Sequence, residues 1–71
     1  MASGTVTING QTHTNPNGCY NIDGGQAEIT YDIHAPLAVY SEADGKGDTV
    51  SSVGGGNGTI TIAPAGSVVI G

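Results

Sequence analysis

Few side chains in this chain can do chemistry, and their spacing limits which chemistry is open to them. A single cysteine, Cys19, stands in "NPNGCYNI". Two histidines, His13 and His34, lie beside turn residues, and three carboxylates, Glu42, Asp44 and Asp48, share the stretch "EADGKGD". Structural zinc takes paired Cys or His ligands at short spacing, and these three residues offer no such pair. Hard oxygen ligands on a glycine-rich loop suit calcium. The acids do not follow the ligand spacing of a helix-loop-helix calcium site, so the expectation is an exposed hairpin loop that holds no cation tightly. Acyl-transfer chemistry needs a serine on a tight elbow, such as G-x-S-x-G, with a base in hydrogen-bond reach. The chain has no such signature, and it is too short to wall off a water-free cleft. The reading is a non-enzyme that uses no metal or cofactor.

The remaining candidates are contact residues. Cys19 has no partner for a disulfide within the chain. It follows a glycine-terminated turn and opens the run Cys19-Tyr20-Asn21-Ile22, where a small, weakly polar side chain suits a half-buried core position; the competing reading is contact with a neighbouring chain. Tyr20, Tyr31 and Tyr40 would be the platform of a sugar-binding module. Tyr31 falls in phase with Ile29 and Ile33 and is assigned to the core, whereas Tyr40 falls opposite Leu37 and Val39 and is the best exposed aromatic. The triplets "TVT", "THT" and "TIT" at 5–7, 12–14 and 59–61 share no common period. An aligned threonine array of the ice-binding kind is therefore not expected, and the β-propensity of threonine accounts for the triplets.

Charge narrows the partners further. One lysine, Lys46, and no arginine stand against six acids, for a net charge of −5. Nucleic acid is bound through Lys and Arg that displace counterions from phosphates, so no nucleic-acid partner is expected. The same balance disfavours anionic membrane surfaces, and no apolar run approaches the ~20 residues of a spanning helix. The opening "MASGTVTING" has neither a basic nor an apolar signal region, so the expectation is a soluble chain made in the cytoplasm without a secretion signal.

Period-two alternation marks the strands that carry these residues. Thr5 to Ile8 and Gln11 to Thr14 flank Asn9-Gly10, a favoured two-residue hairpin turn. Asn15-Pro16-Asn17-Gly18 ends that run. Cys19 to Ile22 follows, and after Asp23-Gly24-Gly25 comes the longest run, Gln26 to Ile33, with Ala27, Ile29, Tyr31 and Ile33 on one face and Glu28, Thr30 and Asp32 on the other. Leu37 to Ser41 and Thr49 to Val53 flank the acidic loop. Thr59 to Ile62 and Ser67 to Ile70 flank Ala63-Pro64-Ala65-Gly66. Residues 1–71 thus read as a single all-β domain, a small antiparallel β-sandwich or barrel of about seven short strands with no helix.

Such a domain is short of core. Chains of this length bury only about 60% of their unfolded surface, and this one has thirteen glycines, no Phe and no Trp. Burial against another chain would relieve the shortage. Unpaired strand edges are where neighbours attach, and the first strand and the last strand are taken as those edges. In "SVVIG" Val68 and Ile70 face inward and Val69 points out. The candidate interface residues are Thr5, Val6, Cys19, Tyr40, Val69 and Ile70.

The stretches "GTVTINGQTHTNPNGCYNI" and "GTITIAPAGSVVIG" resemble the small all-β accessory proteins that bacteriophages, particularly those of actinobacteria, place on their virions; they are also similar to short secreted β proteins of actinobacterial hosts. The resemblance implies a capsid decoration or cement subunit without enzymatic activity. It would sit on the capsid surface in the virion, bound to the major capsid protein or to copies of itself, in some relatives as a trimer. It assigns no functional residue. The reading from another class is a small secreted or surface binding module that recognises a carbohydrate or a protein.

Overall fold

The computed structural model describes residues 3–71. Each short run of alternating residues forms a strand of its own, because a Gly, Asn or Pro turn isolates it from the next. The strands are β1 Gly4–Ile8, β2 Gln11–Thr14, β3 Gly18–Asn21, β4 Ala27–Ile33, β5 Leu37–Tyr40, β6 Thr49–Val53, β7 Gly56–Ile62 and β8 Ser67–Ile70. The eight strands correspond one to one to the eight runs that alternation marks, so the total of about seven was one short. They form two four-stranded antiparallel sheets, in the orders β2-β1-β4-β7 and β3-β8-β5-β6. Among the described residues there is no α-helix, only one 3-10 turn at Ala43–Gly45.

The local chemistry explains the path. Asn9 and Gly10 both have positive φ, at 48° and 86°, as a type I′ hairpin turn requires. The Asn9 side chain then ties that turn to β4: its Nδ2 donates to the Gln26 carbonyl at 2.9 Å, and its Oδ1 accepts from the Glu28 N–H at 2.8 Å. Asn15-Pro16-Asn17 stops β2, and the chain crosses to the second sheet as β3.

The core lies between the sheets. Val6, Ile8, Ala27, Ile29 and Ile33 come from the first sheet and Leu37, Val39, Val68 and Ile70 from the second, with Ala65 closing one end. Strict alternation places these side chains inward and their neighbours outward. No aromatic ring is fully buried. Tyr20 and Tyr31 pack half-buried against the rim of this aliphatic cluster.

Two expectations are corrected here. β1 lies between β2 and β4, and β8 lies between β3 and β5, so neither the first nor the last strand is a sheet edge. The edges are β2, β7, β3 and β6. The cause is pairing across the chain: β4, the longest inner strand, takes β1 on one side and β7 on the other, over residues far apart in sequence.

Candidate functional site

The six interface candidates separate. Val6 is 0% exposed and Ile70 is 1% exposed, so both belong to the core rather than to any interface. Thr5 is exposed on the outer face of the first sheet. Cys19, Tyr40 and Val69 lie on the outer face of the second sheet, where Cys19 pairs in register with Val69, and Val69 with Ala38. Val69 is half-buried and points away from Val68 and Ile70, as its place in the alternation requires. Cys19 is exposed, which overturns the core reading: it occupies the outward phase of β3, and Tyr20 takes the inward one. Tyr40 is half-buried, as are Tyr20 and Tyr31, so it is not distinguished by exposure.

The acidic loop is not a free hairpin tip. It folds back over the outer face of the second sheet and is held there by two side chains. Ser67, 0% exposed although outward-facing, accepts from the Gly45 N–H at 2.9 Å and donates to the Glu42 carbonyl at 2.7 Å. Asn21 accepts from the Asp44 N–H at 2.8 Å and donates to the Asp44 carboxylate at 3.1 Å. These bonds hold Asp44 at a φ of 61°, a region that Asp tolerates better than most residues. Among the described residues no group of three His, Cys, Asp or Glu side chains is placed to hold a metal ion.

Threonines gather without a repeat. Register brings Thr12, Thr7, Thr30 and Thr59 into one row across all four strands of the first sheet, with Thr5 and Thr14 in the next row and Thr61 beside Glu28. Two hydroxyl pairs join strands, Thr7 with Thr12 at 2.9 Å and Thr30 with Thr59 at 3.3 Å. The alignment ruled out for want of a period is thus produced by strand pairing. It is a polar outer face with Glu28 and Asp32 set into it.

A concave feature of the fold lies at the side where edges β2 and β3 approach each other. A cleft of about 560 Å³ opens there, lined by Ile8, Asn9 and Gln11, by His13 and Tyr20, and by Cys19 and the stretch from Asn21 to Asp23. The two edges meet through one ring pair: His13 and Tyr20 have centroids 4.4 Å apart and planes tilted by 43°. The Tyr20 hydroxyl accepts from the Asn17 N–H at 3.1 Å, which fixes the ring. The sequence carries the signal for this pair. His13 falls in phase with Gln11 and out of phase with Thr12 and Thr14, as Tyr20 is out of phase with Cys19 and Asn21, so both rings turn toward the gap between the sheets.

Among the described residues, the outward backbone groups of β3 at this cleft are also unpaired. In an antiparallel ladder, residues alternate between bonding the neighbour strand and facing away from it. Ile22 N–H donates to the Gly66 carbonyl at 2.8 Å, which sets the phase of the β3–β8 ladder. Gly18 and Tyr20 therefore bond β8, while Cys19 and Asn21 direct their N–H and C=O groups to the free edge.

The chain matches no family model, no curated protein and no solved structure.

Proposed function

We propose that the protein is a non-enzymatic attachment subunit that binds the outer surface of a phage capsid as a decoration or cement protein. The observation that carries this reading is the β2–β3 side of the sandwich, where half-buried apolar groups lie beside backbone donors and acceptors that the fold itself leaves unpaired. Such a side gains both apolar burial and hydrogen bonds when another polypeptide covers it. The likeness of the strands to small virion accessory proteins points to the major capsid protein as that polypeptide, with further copies of this chain, as in a trimer, completing the arrangement. The acidic, lysine-poor surface is compatible with a protein partner. The test is co-sedimentation of the purified protein with capsids of the phage that encodes it, together with mass spectrometry of purified virions. Saturable binding in a fixed ratio to the capsid protein supports the reading, and absence from virions together with no binding refutes it.

A second reading has its own observation. The His13–Tyr20 ring pair beside the amides of Asn9, Gln11 and Asn21 is a small polar and aromatic cleft, within the ~300–1,000 Å³ range of small-ligand sites. This favours a module that binds a saccharide, and glycan-array binding abolished by Tyr20→Ala would establish it in place of the first.

A further inference from the structure

Resting on the attachment reading, we propose that the β3 edge is the docking site and that it takes an extended segment of the partner protein as an added strand, with small apolar residues alternating along it and a basic residue opposite Asp23. Two features converge on this edge. Cys19 and Asn21 present unpaired N–H and C=O groups, the hydrogen-bonding pattern an incoming strand needs. The cleft of about 560 Å³ gives room for inward side chains beside Ile8, Tyr20 and Ile22. On the outer face the side chain at the free edge is Cys19, small and weakly polar, while Val69 behind it lies against Gly45 of the acidic loop, so an added strand finds its apolar flank on the cleft side and only Cys19 on the other.

The opposite wall offers less. The outer face beside β2 is Thr12, Thr14, Thr5 and Thr7, which gives an added strand only polar neighbours there. The charge of the occupant follows from Asp23, the one charged group lining the cleft, in a chain of net charge −5. A second copy of this chain would bring two molecules of net charge −5 together, whereas a basic residue on a different protein complements Asp23.

The edge permits a clean perturbation. Proline cannot donate to an incoming strand, but edge strands tolerate it where the N–H is not used by the fold, and Gly18 before it is the residue least restricted by a following proline. Cys19→Pro should therefore keep the β3–β8 ladder and block addition, while Cys19→Ser should change nothing. The probe is a synthetic peptide alternating valine and threonine with one terminal lysine, followed by amide hydrogen exchange on the full chain. The parent should show exchange at Cys19 and Asn21 slowed by roughly tenfold at saturating peptide, one bond's worth for each amide. Cys19→Pro should lose peptide binding, and a peptide N-methylated at alternate amides should not bind the parent. Equal binding by the N-methylated peptide, or no binding of the plain peptide by the parent, overturns the proposal without depending on how the variant folds. So does concentration-dependent dimerisation through β3 with no peptide binding. Capsid co-sedimentation separates the two readings: Cys19→Pro that sediments with capsids like the parent removes the edge but leaves attachment standing. Peptide binding by a protein that no capsid retains does the reverse.

Discussion

Ser67→Ala is the most informative single change, because it removes one oxygen that serves two purposes. Its Oγ accepts from the Gly45 N–H and donates to the Glu42 carbonyl, so alanine leaves a donor and an acceptor under the acidic loop without partners. Leaving a buried polar group unsatisfied costs about 1–3 kcal/mol. Gly45 is half-buried and Glu42 exposed, so water reaches part of the gap, and the lower half of that range, about 1–2 kcal/mol, is the working value. For a domain of this size 1 kcal/mol shifts the melting temperature by about 4–8 °C, which gives a drop of roughly 5–15 °C. Total stability of about 5–15 kcal/mol leaves the variant folded. The assay is a thermal melt followed by circular dichroism, paired with amide exchange at Gly45, which should lose its protection while core amides keep theirs. Asn21→Ala, which frees the same loop from an exposed position, should cost less. A melting temperature unchanged in Ser67→Ala, with Gly45 exchanging as in the parent, would refute the view that Ser67 holds the loop on the sheet.

Ile29→Asp places a carboxylate at a position 0% exposed between the sheets, and an unpaired buried charge costs several kcal/mol, so this variant should show no cooperative urea transition. A normal transition would mean that Ile29 is not in the core. Gly66→Ala should cost about 1–3 kcal/mol of stability, seen as a lower urea midpoint with little change in slope, because its Cβ would lie 2.7 Å from the Ser41 carbonyl oxygen and against the Glu42 backbone, atoms that cannot swing aside. Native protein should react completely with a thiol reagent at Cys19 at nearly the rate of the urea-unfolded chain, since the thiol is exposed; strong native-state protection would restore the core assignment for this residue.

Alternation made the strands and their faces legible. The phases of Ala27, Ile29 and Ile33 and of Val68 and Ile70 gave the core side of two strands correctly, because each strand has one packed and one wet face, whereas Val6, taken as an interface candidate, belongs to the core. Strand order was not legible. Hydrophobic period says which way a side chain points but carries no information on which strand lies beside which, and so β1 and β8 were placed at edges that belong to β2, β7, β3 and β6. The early start of β7 was hidden for a related reason. Gly56, Asn57 and Gly58 have poor strand propensity, and they are extended only because β4 reaches far enough to pair with them, Ile33 with Gly56 and Tyr31 with Gly58. The threonine row and the docked acidic loop likewise depend on residues brought together by pairing, Thr7 with Thr30 and Asn21 with Asp44, which lie 23 positions apart in each case.

The two sides of β3 are held with unequal strength, and this bears on why its cleft is the place for a partner. Toward the second sheet β3 has the full β8 ladder, and its Asn21 side chain is tied to the loop over the outer face by two hydrogen bonds. Toward the first sheet it has side-chain packing alone: the tilted ring pair of His13 with Tyr20, of a kind that contributes about 1 kcal/mol, and the packing of Tyr20 and Ile22 against the core cluster. A segment added at this edge gains backbone bonds at Cys19 and Asn21 along with apolar burial at the half-buried Tyr20 and Ile22. The acidic loop makes the contrast plain: on the outer face of the same sheet the chain supplies its own cover through Ser67 and Asn21, and on the cleft side it supplies none.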